Sequence, residues 1–150
     1  MVMSSTTLVP VEEYLRMTEK PYCEYRDGVL YPKAMATTFH GILELVLGFA
    51  LCKLGLQAAV EVTVRLSPTK YLVPDVIAAQ VLQSPYPTEP VLLCCEIPSP
   101  EDGLGATLAK CEEYHAAGEP LRVTGTLHAG EFSVSLEELF LALDTPLAGV

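Results

Sequence analysis

The sequence predicts an α/β domain, a mixed central sheet flanked by helices. Three observations carry this. Residues 57–66 alternate apolar and polar: Val60, Val62, Val64 and Leu66 interleave with Glu61, Thr63 and Arg65, which is the period of a half-buried strand. Residues 91–97 form an apolar run broken only by Glu96, as expected of a central strand covered on both faces. Residues 38–54 place Ile42, Leu45, Val46 and Phe49 at helical spacing, with Leu43, Ala50 and Leu54 widening the stripe.

The remaining elements follow in order. Residues 10–17 open with Pro10 and carry Glu12 and Glu13 in the first turn, the composition of a helix start. Asp27-Gly28 separates two short β-like runs, so Cys23-Glu24-Tyr25 and Val29-Leu30-Tyr31 are expected to pair as a hairpin. Thr37 or Thr38 caps the long helix and Gly55 ends it. Ser67-Pro68-Thr69 makes a turn, and residues 72–82 form the next strand, with Pro74 indicating an edge or bulge near its start. The proline-rich residues 83–90 are a loop. Pro98-Ser99-Pro100 stops the apolar strand, and residues 104–117 form a helix ended by Gly118. A weak strand at residues 131–134 and a last helix at 136–143, opened by the Ser135/Glu138 capping box, complete the chain.

Composition limits the function classes. The 150 residues fit one domain spanning 1–150, and half of them are hydrophobic, enough for a core. The formal net charge of -10 gives no overall attraction to nucleic acid, which depends on clustered Lys and Arg. The start of the chain lacks the basic and apolar regions of a secretory signal. The apolar run 41–56 is interrupted by Glu44 and Lys53 and falls short of the ~20 residues that span a bilayer. A cytoplasmic protein with no membrane partner is expected. The five cysteines match no zinc spacing and read as reduced, mostly buried thiols.

Two carboxylates sit where charge is costly. Asp75 lies within Tyr71-Leu72-Val73-Pro74-Asp75-Val76-Ile77, and Glu96 closes the apolar run. A carboxylate among apolar neighbours must be paired, neutralised or bound to a cation. If their strands are neighbours, both can meet at one edge of the sheet, where a hard divalent ion with oxygen ligands would fit. The alternative is structural: a capping Asp75 after proline, and a Glu96 paired with Lys110. Lys20, Arg26 and Lys33 bracket the hairpin, where they could touch a phosphate backbone, but scattered basic residues usually read as solvated side chains.

At this point the chain resembles a family. Thr6 to Leu15 is similar to the T-x-E-E-Y-L opening of the Uma2 (DUF820) family of restriction-endonuclease-like proteins. Residues 23–30 resemble its Y-E-L-I-D-G-E-L hairpin, Tyr71 to Val76 its Y-x-V-P-D-V, and Cys95 to Pro100 its V-E-V-L-S-P. Lys110 with Tyr114, Ala117 and Gly118 resembles K-x-x-x-Y-x-x-A-G. The resemblance runs from about Thr6 to Gly118 and returns at Phe132 to Phe140. It implies a PD-(D/E)XK nuclease core, with Asp75 and Glu96 as ligands to Mg²⁺ or Mn²⁺ and Lys110 as the catalytic amine. Glu24 would be a further acidic residue of the site, and His40 a substrate-binding residue at its rim. The position two residues after Glu96, where most of the superfamily has its Lys, is Pro98. The position four residues before Lys110 is Ala106, where the family usually carries Asp, and the part after Gly118 is shortened. The implied activity is hydrolysis of DNA phosphodiester bonds, in a homodimer. The alternative is a catalytically degenerate binding or dimerisation module of the same fold.

Overall fold

The computed structural model describes residues 7–18, 22–97, 103–118, 126–129 and 132–135. Two antiparallel sheets and three helices make up these residues, with a separate two-stranded ribbon near the end. The first sheet has the order β2-β1-β5-β4 and the second β3-β6-β7. All strand pairs among the described residues are antiparallel.

Helix α1 (Val11–Arg16) packs Tyr14 onto the first sheet. Strands β1 (Cys23–Arg26) and β2 (Val29–Pro32) pair with Tyr25 opposite Leu30. Asp27 and Gly28 both have positive φ, 49° and 89°, the left-handed conformation of a tight hairpin turn. The expected hairpin is therefore present. Tyr14, Tyr25 and Tyr71 form an aromatic cluster, the first two stacked at 4.9 Å between centroids.

Helix α2 (Thr38–Lys53) is capped by Thr37, whose side chain accepts a hydrogen bond from the His40 N–H. It packs on β3 (Gln57–Val60) and β6 (Val76–Ala79). The side that packs is not the stripe marked by periodicity. Glu44 and Leu51 are buried, whereas Ile42, Leu45 and Phe49 are 49%, 69% and 62% exposed. The helix is apolar nearly all round, so its own pattern cannot choose a buried side; packing against the sheet chooses it.

The strand expected over residues 57–66 is two strands. β3 ends at Val60 in the second sheet, and β4 (Val64–Ser67) belongs to the first. The strand expected over 72–82 is likewise divided into β5 (Lys70–Leu72) and β6. The two breaks face each other. Val60 pairs with Val76 and Val64 with Leu72, and the Glu61 N–H donates to the Asp75 carbonyl across the gap at 3.2 Å. One long ribbon thus bends and passes from one sheet to the other. Glu61 takes φ 55° at the bend, uncommon for a side-chain-bearing residue, and Pro74 opens the other arm.

Strand β7 (Leu93–Cys95) pairs with β6. Among the described residues β6, not β7, is central, a correction to the reading of residues 91–97. Every residue of β6 is buried. Val76 and Ala78 join Leu51, Leu56 and Leu93 in one core cluster, while Ile77 and Ala79 join Val64, Leu72, Val91 and Tyr114 in another. Helix α3 (Gly103–Ala116) supplies Tyr114 and so covers the face opposite α2. Strands β8 (Thr126–Ala129) and β9 (Phe132–Ser135) pair with each other, which places a strand where residues 131–134 predicted one. The helix expected at 136–143 lies outside the described residues. The five cysteines form no disulfide, and four are only half-buried while Cys52 is exposed. No helix among the described residues is long and apolar enough to cross a membrane.

Candidate active site

The bend of the ribbon, the end of β7, the hairpin and the two long helices enclose one cavity of about 480 Å³. Glu24, His40, Asp75, Glu96 and Lys110, the five residues singled out in the sequence, all line it. Arg26, Lys33, Glu61 and Glu113 line it as well. Five carboxylates against three cationic side chains leave an excess of two negative charges on its wall.

One end is organised around Lys110. Its amine lies 2.7 Å from Glu24 Oε1 and 2.8 Å from Glu96 Oε1. The sequence separates these three residues widely; β1, the end of β7 and α3 bring them together. Glu24 also accepts the Val73 N–H at 3.0 Å, and the Tyr114 hydroxyl donates to Glu96. Burial pushes the Glu96 carboxyl up to about 7, with the negative charge of Asp75 adding to it and Lys110 opposing it. The Lys110 amine is held above its usual range, because Glu96 and Glu24 outweigh the cost of its burial. The Arg26 guanidinium closes this end, bonded to Glu113 at 3.0 Å and to Glu24 at 3.4 Å.

The other end is organised around Asp75, which is 2% exposed. Its Oδ2 accepts the Ile97 N–H at 2.6 Å. Its Oδ1 lies 3.1 Å from Lys33 Nζ and 3.2 Å from His40 Nε2. Burial alone would raise this carboxyl, but the Ile97 N–H, Lys33 and His40 together hold it below its ordinary value. His40 also lies 3.1 Å from Glu44, and Lys33 lies 3.0 Å from Glu61. Burial and the neighbouring Glu61 raise the Glu44 carboxyl to about 7.

His40, Glu44, Glu61 and Asp75 offer ligand atoms all within 4.8 Å of one another. One imidazole and three carboxylates form a donor set suited to a divalent ion, and the Lys33 ammonium already rests against two of them as a cation. The residues present therefore fit such an ion. Lys33, Glu44 and Glu61 were not read as site residues from sequence. Glu44 had a signal, standing four residues after His40 on one helix face. Lys33 and Glu61 had none.

The sequence model of the family described as "Uma2: Putative restriction endonuclease" matches residues 11–123. The chain belongs to the Uma2 family. The resemblance carried by the hairpin, by Tyr71 to Val76 and by Lys110 is thus borne out, and family membership supports a nuclease function. The Uma2 fold is found again in a crystal structure from Anabaena variabilis ATCC 29413, titled as "a putative nuclease belonging to DUF820". That structure superposes with a TM-score of 0.68 at 16% identity, covering 88% of this chain and 97% of that one. No curated protein matches this Uma2 chain.

Proposed function

We propose that this protein is a metal-dependent endodeoxyribonuclease that hydrolyses DNA phosphodiester bonds. The observation that carries the reading is the Lys110 amine within 3 Å of both Glu24 and Glu96, in the same cavity as the Asp75 carboxylate. Asp75 and Glu96 would hold Mg²⁺ or Mn²⁺; His40, Glu44 and Glu61 gather around Asp75, in a group that does not include Glu96, and would complete the shell on that side. A divalent ion there supplies Lewis-acid charge beside a phosphodiester oxygen and makes a nearby water more acidic.

The chain's own residues do the rest. Glu24 and Glu96 fix the amine of Lys110, which donates a hydrogen bond to the attacking water or to the charge that builds on the phosphate. Tyr114 holds Glu96 in place, and the Ile97 N–H fixes the rotamer of Asp75. The wall carries an excess of negative charge, so a phosphate enters favourably only with a cation present. Attraction to DNA is local to the cavity rather than spread over this acidic chain.

Plasmid cleavage in Mg²⁺ or Mn²⁺, with a chelator control, tests this together with ion titration by calorimetry. Cleavage that needs the ion, and that disappears in Glu96→Ala, is expected. Absence of both ion binding and cleavage would overturn it.

One observation also fits a second reading, a non-catalytic dimerisation module. The outer side of α2 exposes Phe39, Ile42, Leu45 and Phe49 and carries no acidic residue. On a chain of net charge -10, an apolar face without acidic residues, with Lys53 over the Phe49 ring, is where a second copy meets the least repulsion. The homodimer belongs to either reading. Light scattering of the intact chain and of Leu45→Glu tests it, with a dimer expected for the first and a monomer for the second.

A further inference from the structure

Asp75 has one carboxylate oxygen committed to the backbone. Oδ2 accepts the Ile97 N–H at 2.6 Å, and Oδ1 is the oxygen that faces His40 and the candidate ligand group. That oxygen is already taken. Lys33 Nζ lies 3.1 Å from it, 3.0 Å from Glu61 Oε2 and 2.8 Å from the Val73 carbonyl. All three protons of the ammonium therefore have acceptors, two of them candidate ligands of the ion. Mg²⁺ binds oxygen at about 2.0–2.1 Å, and two cations cannot share a buried carboxylate oxygen without strong repulsion.

We propose that Lys33 is a built-in counter-cation of this site, which a divalent ion must displace in order to bind. The inference rests on the metal-dependent reading above and adds a latch to it. Without the ion, Lys33 neutralises Asp75 and Glu61, stabilises the bend of the ribbon and closes the site. With the ion, the ammonium leaves Oδ1 and its side chain turns out into the cavity. Lys110 pairs with Glu96, the other proposed ligand, and with Glu24, and so stands at the opposite end of the cavity from the carboxylates that Lys33 occupies.

Two measurements on the full chain test this. Calorimetric titration with Mn²⁺ compares the wild type with Lys33→Met, which keeps the length and removes the charge, and with Lys33→Arg, which keeps a charge. Lys33→Met is expected to bind about tenfold tighter, the loss of one competing ion pair, and Lys33→Arg no tighter than wild type. Amine acetylation followed by peptide mass spectrometry reads the wild type directly, with the exposed Lys53 as reference. Lys33 is expected to be protected in chelator and to react at saturating Mg²⁺. Equal or weaker binding in a folded Lys33→Met chain overturns the proposal. So does a Lys33 that stays protected with the ion bound, and this arm decides the matter should Lys33→Met not fold. Ion binding that leaves Lys33 protected removes the latch alone; no ion binding to any of the chains removes the metal reading and the latch together.

Discussion

The amine of Lys110, on α3, stands 2.8 Å from the carboxylate of Glu96, just past the end of β7. The same amine reaches Glu24 on the hairpin at 2.7 Å. Three segments far apart in sequence are thus tied by one nitrogen. The ion pair proposed as the structural alternative for Glu96 is present, and the catalytic role proposed for the amine rests on the same contact. Lys110→Ala is expected to abolish DNA cleavage while leaving ion binding largely in place. It also leaves two buried carboxylates facing each other, so a stability loss of about 1–3 kcal/mol is expected. Gel cleavage assays, calorimetry and urea denaturation on one preparation check all three.

Asp75 organises the second end of the cavity. Replacing it with Asn keeps the shape but turns an acceptor into a donor facing either the Ile97 N–H or Lys33. Asp75→Asn is expected to lose divalent-ion binding and about 2–4 kcal/mol of stability, because a buried hydrogen-bonded charge pair is broken from one side. Unchanged ion affinity would remove Asp75 from the ligand set.

Glu113 gives a dependence on pH. Burial works against its charged form, but the Arg26 guanidinium, with Lys70 behind it, holds the carboxyl below its ordinary value of 4.5. A carboxyl lowered on folding stabilises the protein above its unfolded pKa and loses that contribution as pH falls through the folded value. The group is partly exposed, so the effect is about 1 kcal/mol. Glu113→Gln is therefore expected to be less stable than wild type at pH 7, with the gap closing near pH 3. A gap that persists in acid would assign the effect to packing.

The middle of β6 sets the frame for the site. Ile77 is fully buried, between its neighbours in the cluster with Leu72, Val91 and Tyr114. Ile77→Ala is expected to cost about 2–5 kcal/mol, the transfer of the lost methyl groups plus a cavity. Thermal melting checks this, and a cost below about 1 kcal/mol would mean that the sheet closes around the gap.

Much of this architecture was legible in the residues. Asp27-Gly28 sets a hairpin because the turn needs positive φ. Thr37 and Gly55 mark the two ends of α2 for equally local reasons. Asp75, Glu96 and Lys110 could be singled out because carboxylates in apolar strands are costly, and the family resemblance supplied the amine. The bend at Glu61 and Asp75 was not legible. Alternation of apolar and polar residues continues across it unchanged, since both sheets use the same period of two. That bend decides that Glu61 enters the cavity, when the pattern assigned it to the wet face of a strand.

The sequence by itself determined the types and order of most elements, the acidic balance and the identity of the two costly carboxylates. All of these depend on neighbours along the chain. Only the tertiary structure decided which side of α2 faces the sheet, that β6 rather than β7 is central, and that Lys33, Glu44 and Glu61 gather around Asp75. The physical reason is that a uniformly apolar helix and an evenly alternating ribbon have nearly degenerate local choices. Packing the two sheets against α2 and α3 removes that degeneracy, and charge pairing at the bend fixes which side chains meet.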